Sequence, residues 1–161
     1  MDEVLRLCAD RPRRTLDPGE VLIGQGMHGD RLYVLIAGAF EVRDGEVVIT
    51  TVREPGSFLG EMAALLGTSY GADVVAVERA TVAVIEDAGD AVASDPDLTL
   101  EIARLLARRL RAVTSYLTDL KRQYAGTDTH LAVMDQVLGE LMASSVDAAD
   151  AGSEREDVPD Y

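Results

Sequence analysis

Between Arg13 and Asp87 the chain reads as short runs rich in Val, Ile and Thr, broken by turn residues: "EVLIGQG", "RLYVLIAG", "AFEVRDGEVVITTV", "ADVVAVE" and "ATVAVIED". Several alternate apolar with polar, the period of a strand with one face buried. The breaks carry turn chemistry. In "DPG" at 17–19 the fixed φ of Pro18 starts a turn and Gly19 accepts positive φ. The Asp44-Gly45 pair between two β-rich runs is a two-residue hairpin signal. Many short strands with regular turns predict an antiparallel β-roll of jelly-roll type.

After Asp87 the period changes. Asp95-Pro96 makes an N-cap and first-turn pair. From there Ala103, Leu106, Leu110, Val113, Leu117, Leu120 and Tyr124 recur at alternating spacings of three and four. About three heptads of such a seam favour a helix that pairs with a second copy. Gly126 ends it, and "THLAVMDQVLGELMASSV" gathers Leu131, Met134, Val137, Leu138 and Leu141 on one side of a further helix. The fold class expected is α+β: an antiparallel β-roll flanked by helices, with a long C-terminal dimerisation helix and one more helix. The expected boundaries are 1–96 for the β-roll with its N-terminal segment, 97–125 for the long helix, 127–146 for the additional helix and 147–161 for an acidic, disordered tail poor in core formers.

Composition narrows the function. With 161 residues, 47% of them hydrophobic, the chain fills one core. A formal net charge of -14 argues against nucleic acid, whose binding rests on Lys and Arg displacing counterions. A helix-turn-helix domain would need roughly 60–70 further residues, so no attached DNA reader is expected. Apolar runs stop well short of the ~20 residues that cross a bilayer, and the acidic start lacks the features of a secretory signal. The expected compartment is the cytoplasm. Cys8 is a single cysteine, which rules out an internal disulfide, and His28 and His130 have no metal-ligand spacing, so no metal is expected. Neither Cys8 nor His28 has a recognisable catalytic partner, and no serine sits in a Gly-x-Ser-x-Gly elbow. No catalytic residue and no enzymatic activity is expected.

The chemistry concentrates in "GEMAALLGTSYGADVVA", residues 60–76. Gly60 and Glu61 open a short apolar helix, whose first N–H groups and positive potential receive an oxyanion without any basic side chain. A carboxylate beside them accepts hydrogen bonds from a sugar hydroxyl. The alternative reading of the same carboxylate is that Glu61 only stabilises its own helix terminus through the dipole.

In order and spacing, "LDPGEVLIGQGMHGDRLYVLIAGAFEV", "PGSFLGEMAALL", "ADVVAVERATVAVIE" and the long helix resemble the cyclic nucleotide-binding domain family, of the catabolite activator protein and kinase regulatory subunit type, over about residues 12–125. The resemblance implies that Glu61 takes a ribose 2′-hydroxyl, with the amides of Gly60, Met62 and Ala63 near the ring or phosphate. "ARRLRAVTSYL" is similar to the dimer helix of the bacterial regulators, which implies that Arg109 pairs with the cassette glutamate and that Thr114 or Ser115 approaches the purine. The implied ligand is cyclic AMP or cyclic GMP.

The pattern then departs from the family. An arginine followed by serine, threonine or alanine usually comes after the short helix, and here Tyr70, Gly71 and Ala72 stand there. Losing such a charge-assisted partner of a desolvated anion costs about 2–5 kcal/mol, or roughly 30- to several-thousand-fold in affinity. Arg53 reaching inward, neutral donors at Ser69 and Tyr70, or a ligand without phosphate are the available repairs. Tyr70 is either a ligand contact or a plug. Two functions follow: a homodimeric sensor of a small ligand that signals through its long helix to a protein partner, or a degenerate, ligand-free dimerisation and docking module.

Overall fold

The computed structural model describes residues 2–124 and 128–142. After helix α1 (Asp2–Leu7), eight strands follow: β1 (Arg13–Leu16), β2 (Val21–Ile23), β3 (Leu32–Ala37), β4 (Phe40–Asp44), β5 (Val47–Val52), β6 (Phe58–Leu59), β7 (Asp73–Ala76) and β8 (Ala80–Ile85). Helix α2 (Glu61–Leu66) interrupts them, and α3 (Ala88–Ser94), α4 (Pro96–Gln123) and α5 (Asp128–Met142) come last. The strands form two antiparallel four-stranded sheets, in the orders β1-β8-β3-β6 and β2-β7-β4-β5. That is the β-roll expected from the alternating runs.

The two central strands of the first sheet explain why "LYVLIA" and "ATVAVI" do not alternate. Tyr33, Leu35, Val82 and Val84 face the second sheet and join Leu16, Phe40 and Val74 in one core cluster. Leu32, Val34, Ala83 and Ile85 face the other way and pack with Val4, Ala88, Leu98 and Ile102 of the helices. A strand covered on both faces has no polar face to show. At the far edge of the second sheet, β5 instead exposes Val47, Val48 and Ile49.

Backbone geometry sets the turns. Glu20 N–H donates to the Asp17 carbonyl at 3.1 Å and Gly19 has φ +89, which closes the first turn. Gly38, at φ +91, brings the chain so near β8 that a Cβ there would lie 2.5 Å from Ala80 Cα. The β4–β5 hairpin forms, but its two connecting residues are Gly45 and Glu46, because Asp44 still pairs with Val47 in the ladder. The Asp44 carboxylate is held there by the Gln25 side-chain amide at 2.9 Å.

The described residues divide into two compact units, one up to Ala107 and one from Arg108 onward. In the first, α3 and α4 meet at Asp95, whose carboxylate accepts the Leu98 N–H at 3.1 Å, so Pro96 begins α4 as the cap pattern predicts. Leu98 and Ile102 anchor this end in the helix-facing cluster, each contributing about 1.5–3 kcal/mol by burial. In the second unit Lys121 of α4 forms an ion pair with Asp135 of α5. Along the seam, Leu110, Val113 and Tyr124 are exposed in the single chain. Gly126, the end of the additional helix at 143–146, and the tail at 147–161 lie outside the described residues. Among the described residues no helix is long and apolar enough to cross a membrane.

Candidate functional site

Strand β6 delivers the site. Its two residues pair with β3, Tyr33 opposite Leu59 and Val34 opposite Phe58, and the chain then turns at Gly60 into α2. Gly60 has φ +88 and ψ 7, a left-handed conformation that an L side chain adopts only at a cost of about 1–2 kcal/mol. No side chain caps the helix start. Glu61 is the first helical residue, and among the described residues it is the one buried side chain of the Asp, Glu, Lys and Arg class, at 4% exposure. Met62 is exposed, and Ala63 is buried in the inter-sheet core. Ala63 and Ala64 thus fix α2 against the two core clusters.

Tyr70 occupies the space beside this turn. Its backbone N–H donates to the Met27 carbonyl at 2.9 Å, and its carbonyl accepts the Gly26 N–H at 2.8 Å. Its hydroxyl donates to the Arg31 carbonyl at 2.7 Å and accepts the Arg31 N–H at 3.1 Å. The ring is 8% exposed and lies so close to Gly60 that a Cβ there would stand 3.0 Å from Tyr70 Cε1. Burial raises the phenol above its ordinary pKa, partly opposed by the Arg31 backbone bond. The side chain is therefore part of the core and a clamp between the loop after α2 and the start of β3.

The next two positions differ from it. Gly71 is exposed and Ala72 half-buried, and a Cβ built on Gly71 meets no atom within 4 Å. Position 71 has room for a side chain; position 70 is already filled. Gln25 holds this loop in place: its side-chain amide donates to the Gly71 carbonyl at 3.2 Å, and its backbone N–H donates to the Asp73 carboxylate at 2.7 Å. Neither Gln25 nor the Arg31 backbone stands out in the sequence, since each acts through hydrogen bonds to residues 39 to 48 positions away.

The remaining candidates are dispersed. Arg53 points outward to Glu78, 3.4 Å away, with both side chains more than half exposed. Arg109, Thr114 and Ser115 lie on α4 in the second unit, Arg109 and Ser115 exposed and Thr114 half-buried. The Thr118 hydroxyl donates to the Thr114 carbonyl at 2.8 Å, an internal helix bond.

Residues 13–89 match the family model described as cyclic nucleotide-binding domain. Strand order, the β6–α2 turn and this match coincide. These residues belong to the cyclic nucleotide-binding domain family. The chain is 30% identical over 108 residues to the CRP-like cAMP-activated global transcriptional regulator of Mycobacterium tuberculosis, covering 63% of this chain and 48% of that protein. It therefore spans about half the length of the curated relatives it matches. Among solved structures, the Thermus thermophilus catabolite activator protein is 28% identical with a TM-score of 0.60, over 74% of this chain and 59% of that one. The regulatory subunit of a cAMP-independent protein kinase A from Trypanosoma brucei is 26% identical with a TM-score of 0.54, over 68% of this chain and 39% of that one. Within the cyclic nucleotide-binding family, then, this domain is similar both to a cAMP-activated regulator and to a regulatory subunit named for independence from cAMP.

Proposed function

We propose that the chain is a non-catalytic regulatory module of the cytoplasm, in which a small ligand, a cyclic nucleotide or a related molecule, is received at the β6–α2 turn. The observation that carries this reading is Glu61, a carboxylate kept buried at the first position of α2 next to a glycine without a side chain. Burying such a group is costly unless it is well partnered, and a site that keeps it gains a strong acceptor in a low-dielectric setting. A ligand hydroxyl on Glu61, with the amides of Gly60, Met62 and Ala63 near its polar end, uses that acceptor. Gly71 and Ala72 border the same loop.

The signal has a short route within the first unit. Ala63 of α2 packs in the inter-sheet core, while its neighbour Ala64 packs in the cluster that holds Leu98 and Ile102 of α4. A ligand that prefers one packing of α2 biases the start of α4; a ligand with equal affinity for both arrangements switches nothing. The readout is a homodimer through the 97–125 helix, supported by the exposed Leu110, Val113 and Tyr124, together with a protein partner. With a net charge of -14, nucleic acid is not the partner of this chain.

Tyr70 favours a second reading, a ligand-free docking module. Its ring fills the recess beside Gly60, and its hydroxyl is bonded at both ends to Arg31. Calorimetry with cyclic AMP and cyclic GMP separates the two. Saturable heat with the full chain, weakened tenfold or more in Glu61→Ala, supports the sensor. No heat with either nucleotide, from a protein that sediments as a dimer, supports the docking module.

A further inference from the structure

The two sheet orders leave β1 and β2 as edge strands, and a cavity of about 310 Å³ opens between them. None of its wall comes from α2. We propose that this seam is a second binding site, for a small organic monocarboxylate. Its floor is apolar and aromatic: Ile23, Tyr33 and Tyr70 line it at 3%, 4% and 8% exposure. Arg14 and His28 stand at its rim.

Arg14 is the group that selects the ligand. It pairs across the ladder with Val82, which faces the inter-sheet core, and Leu16, two residues on along the same strand face, is 1% exposed in that core. The period of two therefore turns Arg14 inward at the mouth of the roll, while Arg13 faces the other side. Among the described residues the Arg14 side chain makes no ion pair or hydrogen bond, while its backbone is held in the β1–β8 ladder. The neighbouring Arg31 is engaged by Glu86 at 2.6 Å. One uncommitted guanidinium above an apolar floor matches a carboxylate attached to a hydrocarbon body. Asp30 in the wall repels a doubly charged phosphate monoester more strongly than a singly charged carboxylate. At about 30 Å³ per water-sized group the space holds roughly ten heavy atoms, the size of benzoate or hexanoate.

The test is a ¹⁵N–¹H NMR titration of the full chain with benzoate, with benzamide as a neutral molecule of the same shape, and with phenyl phosphate. Benzoate is expected to give saturable shifts at the Gly24, Met27 and Arg31 amides, with at least tenfold tighter binding than either other compound. Arg14→Gln, a change at an exposed side chain, is expected to weaken benzoate roughly tenfold or more, and Arg13→Gln to leave it unchanged, with both variants melting like the parent. Absence of saturable shifts, an equal response to benzamide, tighter binding of phenyl phosphate, or equal losses in Arg13→Gln and Arg14→Gln would each overturn the proposal.

Discussion

Replacing Tyr70 with phenylalanine removes one oxygen atom and keeps the ring. That oxygen both donates to the Arg31 carbonyl and accepts the Arg31 N–H, at 2.7 and 3.1 Å. Each bond is worth about 0.5–1.5 kcal/mol net, and stranding a buried partner costs about 1–3 kcal/mol. Arg31 is exposed on its outer side, so water relieves part of that penalty. The expected loss is about 2 kcal/mol, which at a urea slope of roughly 1–3 kcal/mol per molar lowers the unfolding midpoint by about 1 M. A second signature follows from pH. Burial raises the Tyr70 phenol, so the fold favours its protonated form. The resulting stability is fully present below about pH 10, the ordinary tyrosine value, and is lost as pH climbs through the raised value. Urea titrations of wild type and Tyr70→Phe at pH 8 and above pH 10 should therefore show a stability gap that narrows with alkalinity. A gap below about 0.5 kcal/mol at pH 8, or one that stays constant past pH 10, would refute the clamp.

Gly38→Ala places a methyl carbon 2.5 Å from Ala80 Cα at a positive φ, and should leave the chain largely unfolded by circular dichroism at room temperature. Ile102→Ala removes a fully buried side chain that ties α4 to the roll; a loss of about 2–5 kcal/mol is expected by urea denaturation. Val113→Glu puts a charge into the exposed seam of α4 and should shift sedimentation from dimer to monomer without lowering the monomer's far-ultraviolet helix signal.

Much of the fold was readable because strands and helices announce themselves through period. The doubly covered strands β3 and β8 show as continuous apolar runs, β1 and β2 as short pieces between turn residues, and α4 as an Asp-Pro start followed by spacings of three and four. The hairpin at residue 45 was readable, but its turn residues are set by how far the β4–β5 ladder runs, to the Asp44–Val47 pair, which the Asp-Gly signal alone does not fix. The site divides the same way. Gly60 and Glu61 are adjacent in sequence and carry a local signal. The Tyr70 clamp, the Gln25 bridge and the inward Arg14 depend on contacts between residues far apart in the chain, and no local pattern encodes them. Position 71 is the clearest case: sequence counting puts Tyr70, Gly71 and Ala72 in the stretch of the missing arginine and points to Tyr70 as the position to restore it, whereas the packing shows position 70 filled and position 71 open.

That distinction sets the most direct test of the site, namely calorimetry of cyclic AMP binding to Gly71→Arg. If this turn is a nucleotide site lacking only its guanidinium, an arginine at the open position should tighten cyclic AMP roughly 30-fold or more over the wild type, and Glu61→Ala should remove the gain. A folded Gly71→Arg protein that binds cyclic AMP no better than the wild type would contradict it.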